Sequence, residues 1–136
     1  MDAKEHMAAA YKLDAAGDEQ GAIVHYDAAW KLGVPEAEEK RFLVGYGSTL
    51  RNVGRADDAV AILGQAVAKH PSYPALHAFL ALALLDAGEP RAAMAAMLGV
   101  VLDVMKPGSL DGFDRALGEY HGELLTAATA QRILEQ

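Results

Sequence analysis

Apolar residues recur at helical spacing in stretches of about four turns, and three of these stretches end at a glycine. Five residues after each glycine comes an alanine, four later a larger apolar residue, and three later a small or β-branched one. The glycines are Gly17, Gly54 and Gly88, and the residues that follow them are Ala22, Ala59 and Ala93, then Tyr26, Leu63 and Met97, then Ala29, Ala66 and Val100. A fixed internal period of this kind predicts a stacked array of helix pairs.

The same pattern, together with glycine and proline as helix boundaries, predicts seven helices. Their expected bounds are about 3–16, 19–32, 35–54, 56–70, 74–88, 90–105 and 110–134. Gly118 and Gly122 are candidate breaks in the last of them. That helix carries an apolar stripe at helical spacing, formed by Phe113, Leu117, Tyr120, Leu124 and Ala128. A helix with one apolar face fits the cap that the end of a repeat array needs.

The spacing between the glycines points to a particular repeat. Gly54 and Gly88 are 34 residues apart and Gly17 and Gly54 are 37 apart, with the extra residues falling in the stretch 34–40. A helix-turn-helix unit of this length and pattern resembles the tetratricopeptide repeat. The small residue of that pattern is found at Ala10, Gly47 and Ala81, and the large apolar residue three positions later at Leu13, Leu50 and Leu84.

Two features depart from the family pattern. Of the expected prolines only Pro71 stands where the pattern wants it, because Pro35 and Pro107 fall one or two residues late. The tryptophan that the family favours early in its first helix is replaced by His6, Leu43 and His77. The resemblance implies an all-α protein, an α-solenoid of three helix-turn-helix repeats at about 3–36, 40–73 and 74–107, with a capping helix at 109–136 and a single domain over 1–136.

Composition limits the partners and the compartment that we expect for this protein. A formal net charge of −7 argues against nucleic acid and anionic membranes as main partners, and the absence of cysteine excludes disulfides and thiolate metal sites. The longest apolar runs, 92–102 and 78–85, are too short to span a bilayer, and the first residues contain no apolar signal core. We therefore expect a soluble, cytoplasmic protein.

In the family, the first helix of each repeat lines a concave groove. Carried over by position, this implies a peptide-binding groove formed by Lys4, Met7 and Tyr11, by Arg41, Val44, Ser48, Arg51 and Asn52, and by Phe79, Leu82 and Asp86. The second set is basic and polar and the third is apolar, which suits a protein or peptide segment with acidic and hydrophobic anchors. The family's basic clamp for a terminal carboxylate is missing, since the matching positions are Met7, Tyr11, Gly45, Ala75 and Phe79.

Several alternatives stay open at this point. Arg41 and Arg51 are either ligand contacts or surface charges that pair with Asp14, Asp57 or Asp86. The fifth helix is apolar on nearly every side, so it is either covered by its neighbours or exposes a patch for a partner. Gly45 lies in mid-helix, where it either admits a ligand backbone or relieves crowding.

Catalysis is not expected. No histidine pair, His-Glu-x-x-His motif, nucleophile elbow or phosphate loop occurs, and packing explains His6 and His77. We expect no cofactor, no metal and no catalytic residue. The leading hypothesis is a non-catalytic protein-binding module, and the alternative is a homodimerising scaffold formed through the third repeat and the capping helix.

Overall fold

The computed structural model describes the backbone of residues 1–135 and the side chains of residues 1–130. Within this range the chain forms seven α-helices and no strand. They are α1 (Ala3–Ala15), α2 (Glu19–Leu32), α3 (Glu36–Asn52), α4 (Ala56–Lys69), α5 (Pro74–Asp86), α6 (Pro90–Val104) and α7 (Asp114–Glu135). The all-α prediction is confirmed, and the first six helices end within two residues of the expected positions.

Helix boundaries follow from local chemistry. The carboxylates of Asp2 and Asp18 cap α1 and α2, accepting hydrogen bonds from backbone amides at 2.8 and 2.9 Å. Gly17, Gly54 and Gly88 all have positive φ, which only glycine adopts without strain, so the chain reverses at each of them.

The start of α7 was predicted wrongly. This helix begins at Asp114 rather than near Leu110, because residues 106–113 form turns in which Gly108, Asp111 and Gly112 have positive φ. It also continues unbroken through Gly118 and Gly122.

Consecutive helices pack as hairpins, α1 with α2, α3 with α4, and α5 with α6. The hairpins then stack, since α3 packs on α1 and α2, and α5 packs on α3 and α4. Helix α7 packs on α6. This is the repeat array that the sequence predicted, with the first helix of each hairpin adjacent to the first helix of the next.

Small residues bring the helices of each pair together, as the repeat pattern predicted. Ala10, Ala22, Ala59, Ala81 and Ala93 are all buried. At Gly47 a Cβ atom would lie 2.5 Å from the Leu63 side chain, so only glycine fits there.

The larger apolar residue of the second helix is less uniform. Tyr26 is 1% exposed and Leu63 0% exposed, whereas Met97 of the third repeat is 37% exposed. In the described part of the chain α6 packs on α5 and α7, and it keeps apolar surface that the earlier repeats bury.

Aromatic rings fill the space between the first two repeats. The rings of Tyr26, Trp30, Phe42 and Tyr46 lie with centroids 5.5 to 6.5 Å apart. A Cβ atom at Gly45 would lie 2.6 Å from the Tyr26 hydroxyl oxygen. Gly45 therefore makes room for this ring, which favours the crowding explanation over the approach of a ligand.

Candidate functional site

The residues predicted for the groove lie on α1, α3 and α5, and most of them reach the surface. Lys4, Tyr11, Arg41, Asn52 and Asp86 are exposed, and Val44, Ser48, Arg51, Phe79 and Leu82 are half-buried. Met7 is the exception, at 4% exposure in the hydrophobic core. The prediction that Met7 lines the groove is corrected accordingly, because its side chain packs between the helices instead.

Arg51 is engaged by an acidic residue of the next repeat. Its Nε donates to Oδ2 of Asp86 at 2.8 Å, and this ion pair joins α3 to α5. Of the three aspartates that the sequence offered as partners, Asp86 is the one in contact. Two predicted groove residues are thus brought together, and each neutralises the other.

Arg41 differs from Arg51. It is exposed, and among the described residues it makes no hydrogen bond or ion pair. It lies near Tyr11 of α1, where burial and the charge of Glu38 raise the pKa of the Tyr11 hydroxyl and Arg41 partly opposes the shift. The surface between α1 and α3 therefore holds a cation without an ionic partner in the described part of the chain, beside a protonated phenol.

Asn52 contacts a different part of the molecule. Its side-chain amide donates to Oε1 of Glu19 at 2.8 Å, at the first residue of α2. This hydrogen bond ties the end of α3 to the first repeat.

Two tyrosine–aspartate hydrogen bonds connect α2 to α1 and α3 to α2. The Tyr26 hydroxyl donates to Oδ2 of Asp14 at 2.7 Å, and the Tyr46 hydroxyl donates to Asp27. Burial is the largest cause that raises the pKa of both phenols, and these hydrogen bonds raise it further, so both stay protonated. These pairs were not expected from the sequence, although a buried tyrosine generally needs a partner for its hydroxyl.

Arg55, which lies between α3 and α4, is also paired with acidic side chains. It donates to Asp27 at 2.8 Å and to Asp58 at 2.8 Å. These hydrogen bonds raise its pKa further above the ordinary arginine value. Arg55 therefore serves the structure of the repeat and offers no free charge to a ligand.

The apolar surface of α5, which carries the predicted groove residues Phe79 and Leu82, is partly covered by other helices. Leu76, Ala81, Ala83 and Leu84 are buried by neighbouring helices, whereas Leu85 remains 56% exposed. Among the described residues, no Cα atom of α7 lies within 8 Å of α5, so the capping helix does not cover this surface. Neighbouring helices thus cover part of α5 and leave Leu85 exposed, and binding of a partner at the exposed part stays a prediction.

Several histidines are held by local hydrogen bonds. The Nδ1 atoms of His6 and His25 are hydrogen-bonded at 2.9 Å, and Nε2 of His77 donates to the Pro71 carbonyl at 2.8 Å. Over the residues that the structure describes, no three histidine or acidic side chains converge as metal ligands. In the same range, no helix combines the length and apolar character needed to cross a bilayer.

Hairpins that stack in register define the class of helical repeat proteins. The family model described as "Tetratrico peptide repeat" matches residues 4–124. The chain belongs to the tetratricopeptide repeat family, whose members generally mediate protein–protein interactions and are typically non-catalytic. No curated protein and no solved structure showed significant similarity to the chain.

Proposed function

We propose that this protein is a non-catalytic binding module whose groove, along α1, α3 and α5, holds a protein segment with an acidic and an apolar anchor. The observation that carries the proposal is the environment of Arg41, which is exposed and has no acidic partner among the described residues. An arginine in this state can grip a carboxylate with two parallel hydrogen bonds.

The apolar anchor would lie against α5. Phe79 and Leu82 are half-buried and Leu85 is exposed, so this helix presents a partly solvated apolar surface next to α3. Arg51 and Asp86 would border the site. Because they are paired with each other, they would orient the bound segment more than attract its charges. Lys4, Tyr11, Val44, Ser48 and Asn52 complete the proposed surface, and Met7 does not belong to it.

The experiment uses short fluorescent peptides in which a glutamate and a leucine are varied independently. Binding is measured by anisotropy for the wild type and for Arg41→Ala. We expect Arg41→Ala to weaken binding of the glutamate peptide by roughly tenfold and to leave its glutamine counterpart unaffected. Arg91→Ala is the matched control, because Arg91 is also exposed but lies on α6. Equal binding by the wild type and Arg41→Ala would remove Arg41 from the site.

Homodimerisation is the second candidate, and one observation favours it. Phe113 and Tyr120 are 63% and 57% exposed on the capping segment, and Met94 of α6 is 58% exposed. An interface between two copies of the chain would bury these exposed apolar groups. Sedimentation at micromolar concentration tests this, since a monomer there would exclude a stable dimer.

A further inference from the structure

A large cavity lies at the carboxyl-terminal end of the array, away from the groove residues. It has a volume of about 530 Å³, is open to solvent on one side, and is lined by residues of α4, α5, α6 and α7. Its lining is apolar or glycine except for His77, Asp103 and His121. This volume lies within the range of about 300–1,000 Å³ that is usual for ligand sites.

The cavity lies where the pattern of helix packing changes, at α7. In the earlier repeats the incoming helix packs on both helices of the preceding hairpin, as α5 does on α3 and α4. Helix α7 packs on α6, and in the described part of the chain it has no Cα atom within 8 Å of α5. The face of α5 at His77, Leu80 and Leu84 therefore borders the cavity instead of a helix.

The walls of the cavity suit packing against a helix. On α6 the lining residues Ala92, Ala96 and Gly99 are small and share one face at helical spacing. Gly99 lets the His121 side chain of α7 pack closely against α6, because a Cβ atom there would lie 3.2 Å from Nε2 of His121. Small residues allow a neighbouring helix to approach closely, as Gly47 does for the Leu63 side chain inside the second repeat.

The polar groups of the lining favour a basic ligand. A backbone carbonyl can only accept, so Nε2 of His77 donates to the Pro71 carbonyl and offers no free donor to a ligand. Asp103 is an exposed carboxylate with no hydrogen bond or ion pair to the described residues. Among the described residues the lining thus carries one carboxylate and no lysine or arginine, on a chain whose formal net charge is −7.

We propose that this cavity receives the apolar face of an amphipathic helix from a partner protein, with a lysine or arginine of that helix next to Asp103. The site is independent of the groove between α1, α3 and α5. A second copy of this chain is a poorer occupant, because it carries the same net charge of −7 and Arg115 of α7 faces Glu119 at 3.5 Å.

The test uses a synthetic helical peptide with a leucine stripe at i, i+3, i+4 and i+7 spacing and flanking lysines, at concentrations up to about 100 μM. A second peptide has glutamates in place of the lysines. We expect saturable binding of the lysine peptide and binding of the glutamate peptide that is at least about tenfold weaker. Equal binding of the two peptides, or no binding of the lysine peptide, overturns the proposal.

Variants then locate the peptide. Ala96→Phe fills the cavity and should abolish binding, while Ala61→Phe on the exposed surface of α4 should not. Asp103→Asn should weaken binding about two- to fivefold, and Asp57→Asn should leave it unchanged. Circular dichroism establishes that each variant is folded. If Ala96→Phe does not fold, the affinity of Asp103→Asn and hydrogen exchange on the wild type together show whether the peptide lies in the cavity.

Hydrogen exchange distinguishes this site from the groove. The lysine peptide should slow exchange in α5 and α6 and leave α1 unchanged, and Arg41→Ala should not alter its affinity. Protection of α1 and α3 instead would place the peptide in the groove and overturn the cavity site. Uptake of dodecylamine without uptake of the peptide would identify a small-molecule pocket, which also overturns the proposal.

Discussion

The hydroxyl oxygen of Tyr26 occupies the space that a side chain at position 45 would need, 2.6 Å from where the Cβ atom would lie. Tyr26 is 1% exposed, is hydrogen-bonded to Asp14 and stacks against Tyr46 with ring centroids 5.9 Å apart. The ring therefore has little freedom to move aside.

Gly45→Ala should destabilise the protein by about 1–3 kcal/mol, because the overpacking cost exceeds the gain in helix propensity of roughly 0.5–1 kcal/mol. The matched control is Gly64→Ala in α4, where no atom lies within 4 Å of the added Cβ and a modest stabilisation is expected. Urea unfolding monitored by circular dichroism measures both. A stabilised Gly45→Ala variant would show that Tyr26 can yield.

Glu39 links α3 to the end of α4 and makes stability depend on pH. Its buried carboxylate accepts from Lys69 at 3.0 Å and is hydrogen-bonded to His70 at 3.2 Å. Burial alone would raise the pKa of Glu39, but these two partners outweigh burial and lower it below the ordinary value of 4.5. The contribution of the ion pair is therefore present above pH 4.5 and is lost as the pH falls through the lower, folded-state pKa.

Glu39→Gln should cost about 1 kcal/mol at neutral pH, since Lys69 is half-exposed and the amide keeps one acceptor oxygen. The difference from wild type should shrink in acid, as Glu39 itself becomes protonated. Glu38→Gln, at an exposed neighbouring position, should be nearly neutral throughout. A difference that persists unchanged at low pH would contradict this assignment. Chemical unfolding at several pH values provides the measurement.

Phe113 and Tyr120 belong to the predicted apolar stripe of the capping helix, but Phe113 precedes α7 and both side chains are exposed. Replacing either with serine should therefore change the free energy of unfolding by less than about 0.5 kcal/mol. Phe42→Ala, at a position with 0% exposure, should cost about 3–5 kcal/mol. A large loss of stability for Phe113→Ser would mean that this ring is covered in solution, for instance by a second copy of the chain.

Helix α7 should be the least protected part of the array. In the described residues it packs on α6, whereas α3 packs on α1, α2, α4 and α5. Local opening is easier where fewer packed neighbours oppose it, so the amides of residues 114–130 should exchange with solvent well before those of α3. Native-state hydrogen exchange checks the order, and equal protection of α3 and α7 would contradict it.

Much of the fold could be predicted from the sequence because helix boundaries are local. Gly17, Gly54 and Gly88 end helices through their own backbone conformation, and Asp2 and Asp18 cap helices within their own first turn. The start of α7 could not be predicted in this way, because the stretch 106–113 contains turns whose competition with helix depends on packing.

For the candidate site, sequence position predicted which helices carry the residues but not their partners. Arg41 and Arg51 are alike in the sequence, yet one is unpaired among the described residues and the other contacts Asp86. That difference depends on how α3 and α5 are placed side by side, which no local pattern encodes.

The sequence by itself determined the repeating unit, its helices and the small residues that let paired helices touch, since propensity, capping and spacing act within a few turns. Tertiary structure alone decided that Met7 lies in the core, that Gly45 serves Tyr26, and that α7 leaves a cavity beside α5. These outcomes depend on the rotation and offset of one helix against another, which result from the packing of all their side chains together.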